Sequence, residues 1–141
     1  MLSLKIEYRL AVLGALSFGF STYLIIIIGA GHNAKAHAIS YMPFVLGSII
    51  YVVRKKYIIG FILTAIFLGL QLTANHFQMT YYLMFIVIVM AIWFVVKCIK
   101  ENDRVHLITT LVVLFTSLVF SLLMNSSNIL TTMEYSKEST R

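Results

Sequence analysis

The residues able to do chemistry gather in three short polar stretches. The first reads Gly29-Ala30-Gly31-His32-Asn33-Ala34-Lys35-Ala36-His37, and the second Asn75-His76-Phe77-Gln78. The third begins Asn125-Ser126-Ser127-Asn128 and leads on to Glu134 and Tyr135. Three of the four histidines fall here, together with the amides Asn33, Asn75, Gln78, Asn125 and Asn128. Lysine and histidine beside amides can hold a phosphate by charge-assisted hydrogen bonds. Tyr81, Tyr82 and Tyr135 offer ring faces for a sugar or for a membrane interface. The ligand class these groups suit is an anionic lipid head group or a lipid-linked phosphosugar. The candidate binding residues are Lys35, His37, His32, Asn33, Asn75, His76 and Gln78.

Other chemistries fit these stretches less well. His32 and His37 are five residues apart, not the four that place two zinc ligands on one helix face. With His76 they leave a divalent metal as an open option, but no metal site or other cofactor is written in the sequence. No aspartate lies in the three stretches, so a Ser-His-Asp arrangement fails. Glu134 and Glu138 each have a base three residues on, Lys137 and Arg141, which reads as ion pairing on a surface helix. Asn125-Ser126-Ser127 matches a glycosylation sequon. The single cysteine, Cys98, excludes an internal disulfide and reads as a structural thiol. His106 opens the last apolar run and reads as an interface residue.

The elements that must position these groups are membrane helices. Of the 141 residues, 60% are hydrophobic and only 11% charged, and the mean hydropathy is +0.94. Soluble domains carry about 25% charged residues, so this chain cannot clothe a water-facing surface. The net charge of +6 then reflects basic loops at one membrane face rather than a nucleic-acid partner. Apolar runs predict an all-α, polytopic bundle of about five spans in one region, residues 1–141. The spans fall at 10–29, 34–53, 57–74, 79–96 and 107–124. The second run is apolar only over 38–53 and needs extension to Ala34 to approach the roughly 20 residues that cross a bilayer. Lys35 is left inside its outer edge, where a long side chain can snorkel.

Charge sets the orientation. Lys5, Arg9, Arg54, Lys55, Lys56, Lys97, Lys100 and Arg104 fall on one side of the spans, and Lys35, Lys137 and Arg141 on the other. The more basic side is cytoplasmic, so the amino terminus is predicted inside and the carboxyl terminus outside. The three polar stretches then share the outer face. Ala11, Ala15 and Gly19, and likewise Ala65, Gly69 and Thr73, recur every four residues, a spacing that lets helix backbones approach. Pro43 predicts a bend or a 3₁₀ turn near 39–43. Gly31 suits a turn or a close backbone approach.

Four segments carry a family resemblance. They are residues 8–24, the Gly31–Ala38 words His-Asn-Ala-Lys-Ala-His, the Ala74–Leu83 words Asn-His-Phe-Gln, and the closing Glu134-Tyr135 with Ser139-Thr140-Arg141. Together they strongly resemble the YfhO family of bacterial membrane proteins, in its Bacteroidetes-type members, along essentially the whole chain. The resemblance implies a GT-C-like glycosyltransferase of the cytoplasmic membrane. Such an enzyme moves a sugar from a polyprenyl-phosphate carrier to an envelope acceptor on the outer face. It also implies outer-face site roles for Asn33, Lys35, His37, Asn75, His76 and Gln78. Family members are longer, and their expected base, an aspartate on a preceding outer loop, has no counterpart here. The chain is therefore expected to be a fragment whose partners include membrane lipids, a polyprenyl-phosphate-linked sugar and the remainder of a parent protein. The competing expectation is a small non-enzymatic membrane protein, a transporter half or a helix-bundle subunit.

Overall fold

In a hydrocarbon environment every backbone polar group must be satisfied within the chain, which favours helices. The computed structural model describes residue 4 and residues 6–138, with 133 and 135–138 described by backbone alone. The described residues form seven α-helices and no strand. These are α1 Tyr8–Gly19, α2 Thr22–Gly29, α3 Asn33–Val53, α4 Tyr57–Thr73, α5 Phe77–Lys100, α6 Arg104–Met124 and α7 Ser126–Glu138.

Four segments are long and apolar enough to cross a membrane, with α1 and α2 counted as one. The shortfall falls on α4 rather than on the second span. α3 starts at Asn33, close to the extension the length argument required, whereas α4 has 17 residues. At 1.5 Å per residue that is about 26 Å, a few ångströms less than a hydrocarbon core. α4 packs chiefly between α3 and α6.

Two further expectations change. The first span divides at Phe20 and Ser21, where Ser21 turns extended and its side chain caps α2 by accepting from Leu24 N–H. Gly19, a poor helix former, precedes the break. Of the bend or 3₁₀ turn expected at Pro43, the turn does not form: the residues stay α-helical through 39–43. The proline removes one N–H from a helix that neighbouring helices already hold.

The turns share one form. Gly31, Lys55, Asn75 and Asn102 follow the ends of α2, α3, α4 and α5, and each has a positive φ, between 49° and 77°. In three of them the next N–H reaches back five residues to a helix carbonyl: His32 to Ile27, Lys56 to Tyr51, and Asp103 to Cys98. This is the hydrogen-bond pattern of a left-handed helix terminus, where glycine and asparagine cost least. Gly31 is thus a turn residue and not a close approach, since a Cβ there would meet nothing within 4 Å.

The packing is inverted relative to a water-soluble domain. Of the seven largest side chains with under 2% exposure, five are polar: Gln71, Thr110, Ser48, Ser117 and Ser121. Large apolar side chains cover the outside. The polar groups sew α4 to its neighbours. The Ser117 hydroxyl lies 3.4 Å from the Phe61 carbonyl and that of Ser121 2.9 Å from the Ala65 carbonyl, and the Asn125 amide donates to Gly69 (3.0 Å). Thr73 donates to Asn125 Oδ1 at 2.7 Å, and Thr64 donates to Ser48 on α3 at 3.0 Å. The row Ala65, Gly69, Thr73 therefore is a packing surface. The row Ala11, Ala15, Gly19 is not: α1 buries no residue.

At Gly60, α4 touches α3 so closely that a Cβ would lie 2.5 Å from Val52 Cγ2 and 2.8 Å from the Val52 backbone nitrogen. Gly19 has nothing within 4 Å of its Cβ position. Gly60→Ala should therefore destabilise the purified protein by about 1–3 kcal/mol, as overpacking does. Gly19→Ala should leave thermal unfolding in detergent unchanged or slightly raised. Equal effects of the two would show that the α3–α4 contact is not as tight as drawn.

Candidate functional site

Two ends of the bundle carry hollows, separated by the length of α3. At the histidine end, the turn before α3 and the turn before α5 form an open hollow of about 380 Å³. His32, Asn33, Lys35 and His76 line it, with Gly31 and Ala34. His32 and His76 are the residues capping α3 and α5, and neither side chain makes a cap hydrogen bond. The first-turn amides of a helix lack intrahelical acceptors, and they favour an anion. His76 Nδ1 is buried and has no hydrogen-bond partner among the described residues. No carboxylate lies on the wall.

Lys35 is half-buried, and its ammonium rests 5.4 Å from the centre of the Tyr23 ring. Such a contact is worth about 0.5–1 kcal/mol where exposed. A charge-assisted bond to phosphate is worth about 1.5–3 kcal/mol, so an anion in the hollow would draw the ammonium away from the ring.

The other expected site residues do not line this hollow. His37 is exposed and stacks on Tyr41 one turn along α3, with ring centres 6.3 Å apart. Gln78 donates to the Tyr82 hydroxyl at 3.0 Å on the exposed face of α5. Asn75 supplies the left-handed turn after α4. His32, His37 and His76 form no metal-holding group; among the described residues no three metal-ligating side chains converge.

Asn125 is not an open loop amide. It is 6% exposed, and its side chain bonds Gly69, Ser121 and Thr73. A sequon asparagine so enclosed cannot present its nitrogen to a glycosyl donor. The third stretch is itself helical, as α7, with Asn128 in its first turn. The ion pairs expected of Lys137, Glu138 and Arg141 lie outside the described side chains.

Gln71 is not among the expected site residues. It is fully buried near the histidine end of α4, its amide 3.5 Å from Thr80 and its Oε1 without a partner. A glutamine inside an apolar run was the available signal.

The larger hollow, about 450 Å³, lies at the opposite, basic end between the α3–α4 and α5–α6 turns. His106 stands behind it, buried rather than interfacial. Its Nε2 is 2.9 Å from the Val53 carbonyl, which can only accept, so Nε2 carries the hydrogen. In the neutral ring that leaves Nδ1 to accept from the Tyr57 hydroxyl at 2.8 Å. Cys98 is 2% exposed, as a structural thiol should be.

Asp103 closes this end. It accepts from Lys55 Nζ at 2.7 Å and from the His106 backbone N–H at 3.1 Å. The Lys55 ammonium and then that N–H hold the carboxyl below its ordinary range, while the bond to Asp103 raises Lys55.

No family model, curated protein or solved structure matches the chain.

The depressed Asp103 carboxyl contributes stability above its unfolded pKa, and that contribution is lost as pH falls through the folded value. Acidification below about pH 4 should therefore lower the melting temperature of the purified protein more than that of Asp103→Asn. Both side chains are solvent-accessible, so the difference should shrink in high salt. Identical acid profiles for the two proteins would show that the pair does not tie the turns.

Proposed function

We propose that the chain is a membrane-embedded binding unit that seats the phosphate of a lipid-linked sugar at its histidine end. In this reading it serves a glycosyltransferase of the YfhO type in the bacterial cytoplasmic membrane. The chain crosses five times, with its amino terminus in the cytoplasm and the histidine end outside. The observation that carries the proposal is the carboxylate-free wall of His32, Asn33, Lys35 and His76. A buried and unpartnered His76 Nδ1 adds unspent hydrogen-bonding capacity. Phosphate needs donors and positive charge without nearby carboxylates, and this wall offers that combination.

The same wall limits the role. It holds no carboxylate, and the base that the family resemblance implies is an aspartate, so in this reading these residues bind and orient, and the general base comes from elsewhere. Base assistance is typically worth about 10²–10⁴-fold. The purified 141-residue chain should accordingly bind a polyprenyl-phosphate sugar without transferring it.

Lys35 is the chief expected phosphate contact. Lys35→Ala should weaken binding of a polyprenyl-phosphate sugar about ten- to hundredfold, and His76→Ala should weaken it in the same direction. Lys137→Ala should change it little. Equilibrium binding to the detergent-solubilised protein measures all three. If Lys35→Ala and Lys137→Ala behave alike, the histidine end is ordinary loop polarity and the proposal fails.

A further inference from the structure

The basic end holds features that the proposed function does not use. Its hollow is walled by four cations, Arg54, Lys55, Lys56 and Lys97, against two carboxylates, Glu101 and Asp103. Four minus two leaves a net charge of +2. Lys55 is taken by Asp103 at 2.7 Å, and Lys97 lies 3.9 Å from Glu101. Among the described residues Arg54 and Lys56 have no carboxylate partner; the Lys56 ammonium rests over the Tyr51 ring at 5.6 Å. The excess positive charge therefore sits on the α3–α4 turn.

A second hollow of about 420 Å³ adjoins the first and shares Val53, Arg54, Phe94 and Lys97 with it. Its remaining wall is mostly apolar and includes Ile49, Ile50, Val87, Met90, Leu111 and Leu114. It exists because α5 packs more thinly on α3 and α6 than α4 does. From Lys97 to Val87 is ten residues of helix, so the slot runs about 15 Å inward from the charged rim. Both hollows fall within the usual size of ligand pockets, about 300–1,000 Å³.

A cationic mouth joined to an apolar slot matches a molecule with a negative head and a hydrocarbon tail. We infer that the basic end binds one anionic glycerophospholipid, its phosphate between Arg54 and Lys56 and one acyl chain in the slot between α3, α5 and α6. Basic pockets between transmembrane helices recognise anionic head groups in this way. A free phosphate would leave the apolar slot empty, and a zwitterionic lipid would place its own cation against Arg54 and Lys56. The site lies at the opposite end of α3 from the lipid-phosphate hollow and does not rest on it.

The test uses the whole chain with Lys35→Ala, which removes the chief phosphate contact of the histidine end, in neutral detergent micelles titrated with phosphatidylglycerol, phosphatidylcholine or inorganic phosphate, read by native mass spectrometry and by thermal shift. Phosphatidylglycerol should bind saturably at one site and raise the melting temperature. Phosphatidylcholine and inorganic phosphate should do neither. Adding the double substitution Arg54→Gln with Lys56→Gln should weaken phosphatidylglycerol binding at least about tenfold. Ala91→Phe, which adds a ring at the slot wall with every charge intact, should weaken it too, and serves if the double variant fails to fold. Equal protection by phosphatidylglycerol and phosphatidylcholine would overturn the inference, because it would mean annular lipid only. So would undiminished binding by Ala91→Phe, or equal protection by inorganic phosphate.

Discussion

The structure depends on one row of hydrogen bonds between α4 and α6. Phe61, Ala65 and Gly69 each offer a carbonyl, and Ser117, Ser121 and Asn125 each bring a donor atom within 3.4 Å of one. The partners keep a constant offset of 56 residues. Both series advance by four, one helical turn, so α4 and α6 run parallel and in register. A carbonyl has two lone pairs, so each can accept a second hydrogen bond without losing its helical one. Such bonds average about 0.6 kcal/mol each in membrane proteins. That is modest singly, but a slip of one residue would forfeit all three inter-helix contacts at once, leaving the donors only the carbonyls one turn back on α6. The row therefore specifies register more than it adds stability.

Register then determines the ends. With α4 and α6 parallel and α5 returning between them, the turns after α3 and α5 meet at one end, where Lys55 reaches Asp103. The turns after α2 and α4 meet at the other, where His32 and His76 share a hollow. Basic residues collect at the first and histidine with asparagine at the second. The separation is about 30 Å along α3, by its 21 residues. We read these ends as the two faces of a membrane, each with its own lipid chemistry.

Much of the fold was legible because apolar runs and turn residues are local signals. Gly31, Asn75 and Asn102 mark left-handed turns that their residue types favour; Lys55 does not, and only its pairing with Asp103 gives it a visible reason. The break at Ser21 was hidden because the run over 10–29 carries no charge and reads as one span. His32, Asn33, Lys35 and His76 were legible as a group, since lone polar residues at span ends are conspicuous. His37, Asn75 and Gln78 look the same in sequence but lie off the hollow's wall. Asn125 and His106 were misjudged because each stands at a run's edge, where exposure and burial differ by one helical turn of packing. The polar spacing from Thr110 through Ser117 and Ser121 to Asn125 was present in the sequence and marks one face of α6.

The sidedness of the two ends is the claim on which the outer-face reading of the histidine end rests. Cys98 is too buried to report it. Single cysteines at exposed Asn33 and Asn102, each in a Cys98→Ser background, give one probe at each end. A membrane-impermeant thiol reagent should label Asn33→Cys in intact cells and Asn102→Cys only after the membrane is opened. Labelling of both in intact cells, or of Asn102→Cys alone, would contradict the account.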